Sequence, residues 1–244
     1  MITIGHLYPE LLNLYGDRGN ILALTRRCQW RGFEVCVEEI ELGQAADFSR
    51  FDILFLGGGS DREQSLITGD LQRRAPDLAL AINSGLVVLA ICGGYQLLGS
   101  HYLARDGRKI PGLGVIGFHT IAGDRRLVGN IAIEVDAGKG PLVVVGFENH
   151  SGQTFINDLV PLGRVLRGSG NNGIDGGEGI RFKNVFGTYL HGPLLPKNPG
   201  FCDRLIELAR IRQGITSPLP PLDDSLERVA RRVMLKRLGV SDTG

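Results

Sequence analysis

The sequence predicts an α/β fold: a central, largely parallel mixed sheet with helices on both faces. Strand-like and helix-like segments alternate through the first hundred residues, the order from which parallel sheets are built. Two of the strand-like runs, Asp52 to Leu56 (DILFL) and Leu86 to Ile91 (LVVLAI), are continuously apolar, as strands buried on both faces must be. Each of these runs ends in glycine where a helical pattern begins. Beyond Pro111 strands and glycine-rich turns replace the helices, which makes the expected sheet mixed.

Taken in order, Ile2 to Leu7 is the first strand. Ile21, Leu24 and Cys28 share one face of a helix that Gly32 can end. Phe33, Val35 and Val37 alternate as a second strand. DILFL runs into Gly57-Gly58-Gly59, and Ser60 with Glu63 forms a capping box that opens the next helix. LVVLAI runs into Cys92-Gly93-Gly94 and a helix through Leu98. Later strands are expected over Val115 to Thr120, Leu127 to Val135, Leu142 to Glu148, Ile180 to Lys183 and Val185 to Leu190, with a very short one over Arg164 to Arg167. Gly168 to Gly179 (GSGNNGIDGGEG) reads as an exposed loop. Helices near Phe201 to Arg212 and Asp224 to Leu238 flank the proline-rich Ser217 to Pro221. With no repeat and no linker, residues 1–244 are expected to form one domain.

Composition narrows the function. Twenty-seven basic against 26 acidic residues leave a net charge of +1, with no global field for nucleic acid or anionic membrane. The four cysteines, Cys28, Cys36, Cys92 and Cys202, form no C-x-x-C pair and no zinc spacing, so no metal is expected. The first residues lack the basic start and apolar block of a signal peptide, and no segment is long and apolar enough to span a bilayer. A cytoplasmic location is expected. Thirty-six glycines, roughly twice ordinary usage, call for many special turns, some approaching a ligand closely.

Cys92 stands where a buried strand turns into a helix, with Ala90 two residues before and Gly94 two after. That is the setting of a nucleophile elbow, whose tight turn admits only small neighbours. The helix N-terminus favours the thiolate, and Gly93 offers a backbone N–H to an oxyanion. A small core cysteine beside a tight turn fits the same residues equally well. His191 follows a strand and precedes Gly192-Pro193, where a side chain is delivered to the sheet edge. His6, His101, His119 and His150 compete with it as the base. The glycines at 57–59 could cradle phosphate, supply an N–H facing Cys92, or simply turn. Neither G-x-x-x-x-G-K-[ST] nor a strand-following G-x-G-x-x-G accompanies them.

Leu14 to Asn20 (LYGDRGN), Leu56 to Gln64 (LGGGSDREQ), Ile91 to Gly99 (ICGGYQLLG), Arg126 to Gly129 (RLVG), Gly146 to His150 (GFENH) and Gly187 to Asn198 (GTYLHGPLLPKN) together resemble the CobB/CobQ-like class I glutamine amidotransferases. Within them, these segments resemble the GatD subfamily, the glutaminase subunits of lipid II isoglutaminyl synthase. The resemblance implies a flavodoxin-like class I amidotransferase fold. It also implies that Cys92 is the nucleophile, His191 the general acid and base, and Gly58 and Gly93 the oxyanion hole. Arg126 would hold the free glutamine, and Asp17 would stand at an interface or in communication with a partner. On the residues alone, Arg126 reads as a solvated turn arginine and Asp17 as a helix N-terminal turn residue.

Many class I enzymes carry a glutamate two residues after the histidine; here Pro193 stands there. The resemblance therefore implies that a carboxylate of the partner completes the triad. It implies a heterodimer with a MurT-like, Mur-ligase-related subunit. That subunit would carry ATP and magnesium, and it would amidate the D-glutamate α-carboxyl of lipid II to D-isoglutamine near the inner membrane face. No cofactor is expected on this chain itself. Other readings are a glutaminase for another acceptor such as a corrinoid carboxylate, a non-catalytic binding module of the same fold, or a cysteine peptidase. The corrinoid case is disfavoured because such glutaminases are usually fused to a synthetase, for which 244 residues leave no room.

Overall fold

The computed structural model describes residues 1–136, 138 and 140–241; the expected domain of 1–244 extends over 137, 139 and 242–244, which lie outside them. In chain order the elements are β1 (Ile2–Leu7), α1 (Arg18–Gln29), β2 (Val35–Ile40), β3 (Ile53–Leu56), α2 (Asp61–Asn83), β4 (Val87–Ile91) and α3 (Gly93–Leu98). There follow β5 (His101–Leu103), β6 (Lys109–Pro111), β7 (His119–Asp136), β8 (Pro141–Phe155), β9 (Gly163–Arg167), β10 (Gly177–Glu178), β11 (Ile180–Phe182) and β12 (Val185–Thr188). Three helices close the described chain: α4 (Leu194–Lys197), α5 (Pro199–Arg212) and α6 (Ser225–Leu238).

The first sheet has the order β11-β12-β4-β3-β1-β2, and only its β11 edge is antiparallel. β1, β3 and β4 are buried along their whole length, which explains their unbroken apolar sequences. α1 carries the chain from β1 outward to β2, whereas α2 carries it from β3 in the opposite direction to β4. Right-handed crossovers running in opposite directions place the two helices on opposite faces. The strand order reverses between β1 and β3, and an open parallel sheet binds ligands in the crevice at such a point.

A second sheet, which the sequence pattern does not announce, has the order β10-β9-β7-β5-β6, with β8 paired to β7. β7 and β8 form a long antiparallel hairpin in place of the shorter strands expected from Leu127 and Leu142. The expected strand at Val115 begins only at His119. Ile116 and Phe118 are buried against the end of α3 instead, where a Cβ on Gly99 would meet the Phe118 ring at 2.7 Å. α6 covers the hairpin through Leu235, packed with Ala132, Val143 and Val145. Arg27 of α1 bonds Asp203 of α5 (2.7 Å) and Asp224 at the head of α6 (2.6 Å), tying three helices at one cluster.

Gly168 to Gly179 is an exposed loop only in part: Gly173 to Gly176 face solvent, whereas Gly170 to Asn172, Glu178 and Gly179 are buried. Asn171 is fully buried, and its side chain accepts from Gly179 N (2.8 Å) and donates to Gly179 O (2.9 Å), replacing a ladder partner. The Glu148 carboxylate accepts the Ser169 and Gly170 amides, and Glu178 is fully buried. Glycine and asparagine let the backbone at either end of the segment curl around side-chain acceptors, while its tip at Gly173 to Gly176 projects into solvent.

Candidate active site

Three adjacent parallel strands end at one edge of the first sheet: Leu56 of β3 pairs with Ala90 of β4, and Ile91 of β4 with Thr188 of β12. Their continuations are Gly57 to Gly59, Cys92 and His191. Cys92 turns the chain with φ 48° and ψ −105°, a conformation that costs a non-glycine residue of order 1–3 kcal/mol. Its N–H donates to Thr188 O (2.8 Å) and its carbonyl accepts from Gln96 N (2.9 Å), which fix the bend from both sides. A Cβ on Gly93 would lie 2.6 Å from Gly59 O, and one on Gly94 2.8 Å from Gly57 O. The elbow and the triple glycine therefore pack backbone on backbone. His191 is held by reciprocal bonds with Phe147, His191 N to Phe147 O at 2.8 Å and Phe147 N to His191 O at 3.2 Å.

One point brings the expected residues together. A Cβ built on Gly58 would lie 3.3 Å from His191 Cε1, 3.5 Å from Cys92 Cβ and 3.3 Å from Asp17 Oδ2. Asp17, fully buried, does not cap its own helix; its Oδ2 accepts the Gly58 N–H at 2.6 Å. The Gly58 amide is thus bonded to a carboxylate rather than turned to an empty oxyanion site. Burial pushes the Asp17 carboxyl up to about 7, against the pull of the Gly58 amide.

The helix N-terminus does not deliver a thiolate. Burial, and then the Asp17 charge, push the Cys92 thiol up to about 12, although the Gly93 amide acts in the other direction. Burial, followed by the charges of His150 and Arg126, lowers His191 to about 4. At neutral pH the resting pair is thiol and neutral imidazole.

Beside Cys92 opens a cavity of about 450 Å³, whose wall includes Asp61, Gln64, Gln96, Tyr102, Arg126 and His150. Arg126 reaches it because the β7–β8 register shifts between Ala122 and Leu127, and its Nε donates to Asn149 Oδ1 at 2.5 Å. Of the competing histidines, His150 alone lines this cavity. It stacks flat on Tyr189, with ring centroids 3.6 Å apart, and bonds Gly152 O through Nδ1. His6 packs edge-on against Phe55, and His101 and His119 stack on each other. Beneath the cavity Gln64 Nε2 donates to Gln96 Oε1 (2.9 Å) and Gln96 Nε2 to Tyr189 Oη (3.1 Å).

The family model for the CobB/CobQ-like glutamine amidotransferase domain matches residues 3–199. The chain belongs to the CobB/CobQ-like glutamine amidotransferases. It is 45% identical over 236 residues to the GatD subunit of lipid II isoglutaminyl synthase (glutamine-hydrolyzing) from Staphylococcus aureus, covering 97% of this chain and 96% of that one. The Streptococcus pneumoniae subunit of the same name is 42% identical over 230 residues, covering 93% and 88%. Among solved structures, PurLQS from Thermotoga maritima shares the fold, with a TM-score of 0.53 at 17% identity over 78% of this chain and 87% of that one.

Glutamine hydrolysis by a glutamine amidotransferase needs a nucleophile, a proton carrier and a cavity for a small amino acid; the sheet edge here brings together a cysteine and a histidine, with a cavity beside the cysteine. Among the described residues no group of histidine, cysteine and acidic side chains is placed to hold a metal ion. No helix of the described residues is long and apolar enough to cross a membrane. Sequence reasoning passed over Gln64 and Gln96, although both lie inside quoted motifs, and over Tyr102 and Glu178. Glu178 accepts the Thr188 hydroxyl (3.0 Å) and the Tyr189 amide (2.7 Å), bracing the segment that leads to His191.

Proposed function

We propose that the chain is the glutaminase subunit of a lipid II amidating enzyme. The observation that carries this is the convergence of Cys92, His191 and Gly58 within 3.5 Å of one point beside a glutamine-sized cavity. The relatives that match nearly end to end supply the acceptor: they are subunits of lipid II isoglutaminyl synthase. In this reading Cys92 Sγ attacks the glutamine carboxamide carbon while His191 takes the thiol proton. His191 passes that proton to the departing nitrogen as the C–N bond breaks, leaving a thioester and ammonia. Water, deprotonated by His191, then hydrolyses the thioester; glutamate leaves and the proton returns to Sγ.

Gly93 N–H holds the oxyanion, joined by Gly58 N–H once Asp17 releases it. Asp17 thereby links the site to whatever moves the loop before α1. Arg126 takes the α-carboxylate of glutamine, for which a guanidinium fork is suited. Pro193 stands where many class I enzymes carry glutamate, so a carboxylate of the partner orients His191. That partner is a MurT-like, Mur-ligase-related subunit, which uses ATP and magnesium to activate the D-glutamate α-carboxyl of lipid II and receives the ammonia. The assembly works in the cytoplasm, at the membrane's inner face.

The test is a Cys92→Ala chain reconstituted with that partner. Amidation driven by glutamine is expected to vanish while amidation driven by ammonium chloride persists. Undiminished glutamine-driven amidation would sink the proposal.

A further inference from the structure

Glutamine is a zwitterion, and a cavity that holds its carboxylate with arginine must also accommodate its ammonium. Arg62, Arg108 and Arg126 all line the cavity, so an ammonium entering among them meets like charge unless an anion faces it. Among the described residues of the lining, Asp61 carries the one carboxylate. We propose that Asp61, assisted by Gln64, forms the subsite for the α-ammonium of glutamine, so that the enzyme reads the free amino acid by both of its α-charges. This inference rests on the glutaminase reading above.

Asp61 is the first residue of α2 and directly follows the turn that carries Gly58 to Cys92. It is half-buried and makes no ion pair with a described residue, whereas Arg108 already has one with Asp106 at 2.6 Å. The buried Tyr102 hydroxyl donates to Asp61 Oδ2 at 3.4 Å, holding the carboxylate against the cavity wall. The charges of Asp61 and Arg126 both reach the Cys92 sulfur, with opposite signs. Glutamine has the matching layout, since its two α-charges share one carbon three bonds from the carbonyl that Cys92 attacks.

Gln64 lies one turn further along the same face of α2. It is 1% exposed; its Nε2 is committed to Gly59 O (3.2 Å) and Gln96 Oε1 (2.9 Å), and its Oε1 has no partner. A buried acceptor left open is costly, and an ammonium, with three N–H groups to place, satisfies it together with Asp61.

Binding is measured by titration calorimetry on the Cys92→Ala chain, alone and with its synthetase partner. The ligands are L-glutamine and glutaramate, which keeps the carboxamide and carboxylate but lacks the amino group. L-Glutamine is expected to bind roughly tenfold or more tightly than glutaramate, a modest share of what a close charge pair can supply. Adding Asp61→Asn should abolish that preference, weakening L-glutamine while leaving glutaramate within about threefold. Loss of both ligands in parallel, or of neither, overturns the subsite. Tyr102→Phe keeps the carboxylate and should reduce the preference in the same direction; an unchanged preference also overturns it. Should the Cys92→Ala chain bind neither ligand in either form, the glutaminase reading itself fails.

Discussion

Gly58→Ala separates fold from catalysis. The added methyl would lie 3.3 Å from His191 Cε1 and 3.3 Å from Asp17 Oδ2, which must yield by only a few tenths of an ångström, and 3.5 Å from Cys92 Cβ, an ordinary contact. Gly58 does not have a positive φ, so alanine meets no backbone strain. Gly→Ala at such a position also lowers the entropy of the unfolded chain, by about 0.4–1 kcal/mol in favour of folding. The net change in stability should stay within about 1 kcal/mol, or about 2–4 °C in Tm for a chain of this size.

The methyl nonetheless fills the space between nucleophile and imidazole into which the carboxamide must come. Misplacing reacting groups by about 1 Å costs on the order of 10²-fold, so kcat/KM for glutamine hydrolysis should fall at least about 10²-fold. Ammonia release by the reconstituted complex and differential scanning fluorimetry read the two effects side by side. The contrast is with Gly57 and Gly93, where a Cβ would strike Leu12 O at 2.1 Å and Gly59 O at 2.6 Å. Backbone cannot retreat as a side chain can, so Gly57→Ala and Gly93→Ala should lose stability along with activity. A Gly58→Ala enzyme keeping a third or more of wild-type activity at unchanged Tm would refute the placement of the substrate.

Two further outcomes follow from burial. The Glu178 carboxyl is raised to about 8 by burial, opposed by the Tyr189 amide and Thr188 hydroxyl, so the folded chain keeps a proton that the unfolded chain releases near 4.5. Stability from this group is full below about pH 4.5 and is lost as pH rises through about 8. Glu178→Gln should therefore flatten the fall in Tm between pH 6 and 9, and an identical pH profile for the two proteins would contradict the burial argument. Because burial and Asp17 hold the Cys92 thiol near 12, its alkylation by iodoacetamide should keep rising through pH 10, the range in which an ordinary thiol has levelled off. Peptide mass spectrometry separates Cys92 from the other three cysteines, and a plateau near pH 9 would refute it.

The first sheet was legible because strands covered on both faces leave only one kind of sequence. DILFL and LVVLAI could be little else, and the glycines after them marked the edge where a site forms. Cys92 was visible through its neighbours: Gly93 and Gly94 follow it because the backbones of two turns touch there. Strands of the second sheet were legible over Leu127 to Val135, Leu142 to Glu148 and Arg164 to Arg167, but not their grouping into a separate sheet or the run of β7 through the charged stretch at Asp124 to Arg126, where its register slips. Gly168 to Gly179 misled in part, because its composition is that of a surface loop and only Gly173 to Gly176 and Gly168 are exposed. The burial comes from the Asn171 side chain and from Glu148, twenty residues upstream of Gly168. On its residues alone Asp17 read as a helix N-terminal turn aspartate, because nothing local reveals a bond to Gly58, 41 residues away.

The expectation that failed most instructively is the thiolate at a helix N-terminus. A helix end favours an anion by about 0.3–1 kcal/mol in ordinary settings, and α3 has only six residues. Raising the thiol from 9.0 to about 12 corresponds to about 4 kcal/mol against the thiolate. Burial and the Asp17 charge therefore outweigh the dipole, and the elbow stores a thiol. A neutral His191, lowered to about 4, cannot hold the proton as a resting ion pair either. On the proposed mechanism the proton then leaves as the carbon–sulfur bond forms, so the alignment of His191 matters as well as the acidity of Cys92. On the proposed glutaminase reading, a partner surface that meets the loop of Gly192 and Pro193 would supply that alignment, tying hydrolysis of glutamine to the presence of the acceptor.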